Sequence, residues 1–167
     1  MTARILPSAE RVRELLHYDP LTGIFTWLFI TSNRVKVGDV AGSPDGRGYI
    51  GIRIDNRRHS AHRLAWLYVY SAWPVNEIDH RNNIKNDNRL SNLRDCSRSE
   101  NLQNQSKPQS NNKSGFRGVF WHGRDKAWRA VIKVNRKQIY LGLHPTAELA
   151  YAAYLEAKRR MHPACTI

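Results

Sequence analysis

The chain has 167 residues, room for one ordinary domain or two small ones. It is 41% hydrophobic and 10% aromatic, which excludes a disordered chain and requires a core. Lys and Arg number 27 against 14 Asp and Glu, a formal net charge of +13 that points to a polyanionic partner, nucleic acid ahead of an anionic membrane.

The N-terminal segment "MTARILPSAERVRELLHYDP" carries charges among its apolar positions and does not read as a signal peptide. Residues 9–17, "AERVRELLH", place Val12, Leu15 and Leu16 at helical spacing behind a cap at Ser8. "YDPLTGIFTWL" then predicts a turn leading into a short strand. "YIGIRI" alternates as a strand, and "DNRR" suits a hairpin turn. "HRLAWLYVYSAW", 62–73, predicts a buried helix stopped before Pro74. No apolar run approaches the roughly 18–20 residues of a bilayer span, so no membrane partner is expected. Cys96 and Cys165 are too few and too far apart for a disulfide framework or a paired-cysteine zinc site, and a soluble protein of a reducing cytosol follows as the expectation.

Residues 78–104, "IDHRNNIKNDNRLSNLRDCSRSENLQN", are rich in Asn and poor in hydrophobes. Asp79 is a hard oxygen ligand suited to Mg²⁺ or Mn²⁺, and His80 a general base near neutrality. On a strand these neighbours point to opposite faces, so they share a site only where the strand ends. "SRSE" has capping-box character for a helix from Ser97, which puts Asn101 in its first turn and a half. Asn82, Asn83, Asn86 and Asn88 read foremost as turn residues, and His59 and His62 as structural histidines rather than a metal pair. Arg63 and Arg81 suit either phosphate contact or a solvated surface.

Polar, aperiodic "QSKPQSNNKS", 105–114, reads as a linker between residues 1–104 and 115–167. "GFRGVFW", "AWRAVIKV" and "KQIYLGLH" then predict three short strands, and "TAELAYAAYLEAKRRM" a closing helix capped by Thr146. In the middle strand Trp128, Ala130 and Ile132 form an apolar face toward the helix, and Arg129, Val131 and Lys133 a largely basic one. Gln138 and Tyr140 fall opposite Ile139 and Leu141 in the third strand. Arg117 and Arg124 add charge. Such a sheet can enter a major groove.

"AHRLAW", "DH", "NDNRLSNLR" and "SENLQN" resemble, in order and spacing, the HNH endonucleases, in particular the H-N-N type of phage and homing enzymes. The likeness runs over about residues 18–104. It implies a ββα-metal unit with His80 as the base that activates water and Asn92 orienting the imidazole through a hydrogen bond from its amide or backbone. Asp79 and Asn101 would hold one divalent cation. Residues 113–162 resemble the AP2/ERF DNA-binding domain through "RGV", "YLG" and "TAELAYAAY". That likeness implies DNA-facing positions Arg117, Phe120, His122, Arg124, Val131, Lys133, Gln138 and Tyr140, with Trp128 in the core. Phe120, Val131 and Gln138 depart from the plant pattern, so the plant target does not transfer.

The sequence thus predicts an α+β protein, a ββα-metal nuclease unit followed by a three-stranded antiparallel sheet on one helix. Its expected function is cleavage of double-stranded DNA with one Mg²⁺ or Mn²⁺ per site, by a monomer or homodimer in a phage-infected or bacterial cell. The competing expectation is a DNA-binding regulator whose nuclease unit is idle. An RNA-binding protein lacks the aromatic motifs of the common RNA modules.

Overall fold

The computed structural model describes residues 6–30, 35–105, 107, 108, 110–162, 164 and 165, which form two compact units, Met1–Arg98 and Ser99–Ile167, of α+β architecture. In the first unit, helix α1 (Ala9–Leu15) starts where the Ser8 hydroxyl accepts from the Arg11 amide at 3.1 Å. It ends two residues earlier than its periodicity predicts. Leu16 and His17 belong to strand β1 (Leu16–Asp19), paired with Trp27 and Thr26 of β2 (Ile24–Trp27). Leu16 is fully buried, as the helical reading also required, so burial pattern alone could not place this boundary.

A second small sheet follows, β3 (Ser43–Pro44), β4 (Ile50–Ile54) and β5 (Arg57–Ser60), antiparallel throughout. The predicted hairpin turn between β4 and β5 has Asp55 and Asn56 both at positive φ, the conformation that matches strand twist in a two-residue hairpin. Helix α2 (Ala61–Tyr70) stops at Ser71, in the left-handed conformation, three residues short of Pro74. Val12, Leu16, Tyr18, Phe25, Ile52, Ile54, Leu64 and Leu67 form the centre of this unit's core. The strand pair β6 (Glu77–His80) and β7 (Leu93–Cys96) carries a long polar connection that ends in a 3₁₀ turn, Leu90–Asn92.

The second unit contains most of helix α3 (Arg98–Asn104), strands β8 (Val119–His122), β9 (Ala127–Val134) and β10 (Lys137–His144), and helix α4 (Ala147–Met161). The sheet order is β10-β9-β8, antiparallel, as the sequence predicts. Thr146 caps α4 by accepting from the Leu149 amide at 3.3 Å. Ala147, Ala150 and Ala157 are small enough to let α4 close on Val119, Ala130 and Ile132. Gly118 makes that approach possible: it has φ +76°, and a Cβ there would lie 2.4 Å from the Tyr154 ring.

Of segment 105–114, expected as a linker, the described residues Gln105 and Asn112 are bonded into this second unit. The Gln105 carbonyl accepts from the buried Lys158 Nζ at 2.7 Å, and Asn112 donates to the Phe116 carbonyl at 3.0 Å.

Candidate active site and nucleic-acid interface

His80 is the last residue of β6, so the strand ends where Asp79 and His80 must work together. Both are buried. Strand register puts Asp79 opposite Arg94, and the Arg94 guanidinium donates to Asp79 Oδ2 from Nε at 3.0 Å and Nη2 at 2.7 Å. His80 Nε2 lies 3.1 Å from Asn88 Oδ1, and Asn88 is itself buried. Burial pushes the imidazole below its ordinary pKa, against the opposing pull of Asn88 and Asp79, and so favours the neutral ring that a general base needs.

Asn92 serves the loop. Its Oδ1 accepts from the Asn82 amide at 3.0 Å, its Nδ2 donates to the Asp87 carbonyl at 2.7 Å, and its own carbonyl accepts from the Arg81 amide at 2.9 Å. These bonds close residues 81–92 into a compact turn. Asn82 Nδ2 adds a bond to Asp87 at 2.6 Å, and Asn83 takes the left-handed conformation expected of a turn Asn. Arg89 beside Asp87 holds that carboxyl down at about 2.

Two residues from earlier in the chain also line the imidazole. Tyr49 packs 5.8 Å from the His80 ring and 5.3 Å from His62, and His62 meets His80 edge-on at 5.1 Å. Burial, with His80 and Arg63 adding, lowers His62 to about 3, so it is a neutral ring and not a second charge. Lys85 Nζ donates to the Arg47 carbonyl at 2.9 Å and stands 4.9 Å from the Tyr49 ring, binding loop 45–49 to the polar connection.

Asn101 lies half-buried on α3, within the second unit. Among the described residues no group of three or more His, Cys, Asp or Glu could hold a metal alone. The donors proposed from sequence, one carboxylate and one amide oxygen, are hard ligands. They suit a cation such as Mg²⁺ that keeps waters and takes substrate phosphate oxygens rather than a full protein cage.

On the second unit's sheet, pairing puts Phe120, Arg129 and Leu143 in one row, Val131 with Tyr140 in the next, and Lys133 with Gln138 in a third. Phe120, Lys133, Gln138 and Tyr140 are exposed, and His122 is half-exposed at 3.0 Å from Asp125. The Arg129 guanidinium lies 5.6 Å from the Tyr140 ring centroid. Arg124 is exposed in the β8–β9 turn. One position is not brought onto this face: Arg117 turns to the helix side, donating to Gln105 Oε1 at 3.1 Å and to the Lys107 carbonyl at 3.3 Å. Val131 lies on the face, in register with Tyr140, but is buried. Trp128 is half-buried against the core, edge-on to Trp121 at 5.2 Å.

Residues 59–103 match the family model of the HNH endonuclease, and residues 114–163 that of the AP2 domain. The chain carries an HNH endonuclease domain followed by an AP2 domain. No curated protein and no solved structure matches the chain. HNH enzymes hydrolyse phosphodiester bonds and typically use a divalent metal, and AP2 domains bind DNA. Among the described residues no helix is long and apolar enough to cross a membrane.

Sequence reasoning missed three contacts of the candidate site: Asn88 on His80, Arg94 on Asp79, and Tyr49 beside the imidazole. Arg94 was within reach of it, since pairing "EIDH" with "LRDC" end to end sets Asp79 against Arg94. Tyr49 left no local signal because its contact spans the whole of β4, β5 and α2.

Proposed function

We propose that the chain is a metal-dependent endonuclease acting on double-stranded DNA. What carries the reading is one observation: a buried imidazole at a strand end beside a carboxylate, inside the HNH match. His80 takes a proton from the attacking water, whose oxygen forms a bond to phosphorus as the bond from phosphorus to the 3′ oxygen breaks. The leaving oxygen takes a proton from solvent, giving 5′-phosphate and 3′-hydroxyl ends. Asp79 and Asn101 would hold the cation, Mg²⁺ or Mn²⁺. When bound it supplies Lewis-acid stabilisation of charge on the phosphoryl group and the leaving oxygen. Asn92 holds the loop in which the imidazole is set. His122, Arg124, Lys133, Gln138 and Tyr140 form the duplex-facing surface of the AP2 domain, and Arg129 shares that face.

One active site per chain cuts one strand, so a monomer nicks and a homodimer can break both. The H-N-N spacing belongs with phage and homing enzymes, which makes a homing role in an infected bacterial cell the fitting context. One observation favours the competing regulator: Arg94 already neutralises Asp79 Oδ2, so the site is electrostatically satisfied by the protein.

Supercoiled plasmid incubated with the purified chain in Mg²⁺, Mn²⁺ or EDTA, beside His80→Ala, tests the proposal. Metal-dependent relaxation abolished by the mutation is expected. Tight binding to the chain's own flanking DNA without cleavage in any metal would sink the enzyme and leave the regulator.

A further inference from the structure

The polar connection between β6 and β7 is gripped from outside the HNH match. Tyr18 of β1, itself buried, donates its hydroxyl to the Asn88 carbonyl at 2.7 Å, and the Pro20 carbonyl accepts from the Leu90 amide at 3.1 Å. Gly23, in the β1–β2 turn at φ +75°, leaves no gap. A Cβ there would stand 2.3 Å from the Arg89 nitrogen and 2.4 Å from the Asn88 carbonyl carbon. The hairpin turn therefore lies flat on the Asn88–Arg89 peptide, and the side chain of Asn88 is aimed at His80.

We propose that Asn88 is the positioning residue for His80, its amide oxygen accepting the Nε2 proton and thereby fixing the tautomer that leaves Nδ1 to take the proton from water, with the N-terminal hairpin as its support. An amide oxygen only accepts, so the ring nitrogen facing it must carry hydrogen, and a neutral imidazole then has its lone pair on the other nitrogen. Asn92, the residue first expected to orient the ring, has both ends of its amide committed to the Asn82 amide and the Asp87 carbonyl. Asn88 has its amide oxygen on the ring and its backbone locked by Tyr18. Of the two, only Asn88 has the reach and the rigidity to choose a tautomer. Positioning through Nδ1 rests on the nuclease reading above; the tautomer does not.

The test is long-range ¹H–¹⁵N correlation of the full, metal-free chain labelled at its histidines, with His80→Gln identifying the His80 signals. At neutral pH the His80 pattern is expected to be that of a neutral ring protonated at Nε2. Asn88→Ala should shift it toward a mixture of tautomers, and Asn88→Asp, which keeps an accepting oxygen, should restore it. In cleavage assays Asn88→Ala should lower kcat by about 10–100-fold with little change in KM, as loss of an orienting partner does, and Asn88→Asp should recover most of it. A wild-type ring protonated at Nδ1, as the opposite amide orientation would give, overturns the proposal, and this measurement needs no variant to fold. So does an Asn88→Ala protein with unchanged tautomer and kcat. A chain that cuts no DNA yet shows the Nε2–H tautomer lost in Asn88→Ala keeps the positioning role and removes the nuclease reading.

Discussion

Arg94 and Asp79 face each other across β6 and β7, and both guanidinium donors go to the single oxygen Oδ2. The side chains are 14% and 8% exposed, so little water screens the pair. Removing one partner leaves a buried charge with less compensation, a loss of about 3–5 kcal/mol in comparable pairs, whereas removing both costs less. Arg94→Met should therefore destabilise the first unit by about 3 kcal/mol in urea unfolding. Adding Asp79→Asn should recover part of that loss. A single-variant cost below about 0.5 kcal/mol would mean that the pair behaves like a solvated surface bridge.

His62 makes stability depend on pH. Its neighbours are His80, Tyr49, Arg63 and Asp45, and burial is the main reason its pKa falls to about 3 from 6.5. The unfolded chain takes up a proton below 6.5 that the folded chain refuses until about 3. The contribution is thus fully present above 6.5 and drains as pH falls through that window, with a limiting slope of about 1.4 kcal/mol per pH unit. His59, His80 and His162 are lowered in the same direction, so the readout is a difference. His62→Phe keeps a ring in place and should lose less stability than the wild type between pH 7 and pH 5. Parallel urea midpoints for the two proteins over that range would contradict it.

Much of this architecture is legible in the residues. The β8–β10 sheet and α4 follow from alternation, turn residues and the Thr146 cap, and the "EIDH" strand end correctly marks where Asp79 and His80 sit. What escaped has a common cause. β1 was hidden because Leu16 is buried equally well on a helix face or a strand face, and only pairing with Trp27 decides. β3 is two residues long and contains Pro44, too little to give a pattern. Asn88 looked like its turn-forming neighbours because its special feature is a partner eight residues away and a clamp from Tyr18, seventy residues away. Composition shows what a residue is able to do, while these contacts depend on which backbone is brought beside it.

Gly23 tests that dependence. Alanine there must adopt φ +75° and place its Cβ inside the Asn88–Arg89 backbone. Backbone cannot yield as a flexible side chain does, so Gly23→Ala should cost at least about 1–3 kcal/mol and should also reduce the cleavage rate by moving Asn88 off His80. Gly46→Ala is the matched control. No atom lies within 4 Å of a Cβ there, and it should be near neutral. Equal behaviour of the two variants would show that the hairpin turn is not a support for the loop.

Lys133 and Arg117, both basic and both expected at the DNA face, should separate cleanly. Lys133 is exposed beside Gln138 with its charge directed to solvent, so a phosphate contact from it releases counterions on binding. Lys133→Gln should weaken duplex binding and reduce the slope of log affinity against log salt by about 0.9, the value for one phosphate contact. Arg117 instead spends its donors on Gln105, Lys107 and the Leu102 carbonyl, and it neighbours the buried Tyr154 hydroxyl. Arg117→Ala should leave the salt slope unchanged and lower the stability of the second unit by about 0.5–1.5 kcal/mol, the net worth of hydrogen bonds to acceptors that water can reach. Binding isotherms at four salt concentrations and one urea titration per variant decide the matter. A flattened slope for Arg117→Ala with intact stability would return that guanidinium to the DNA.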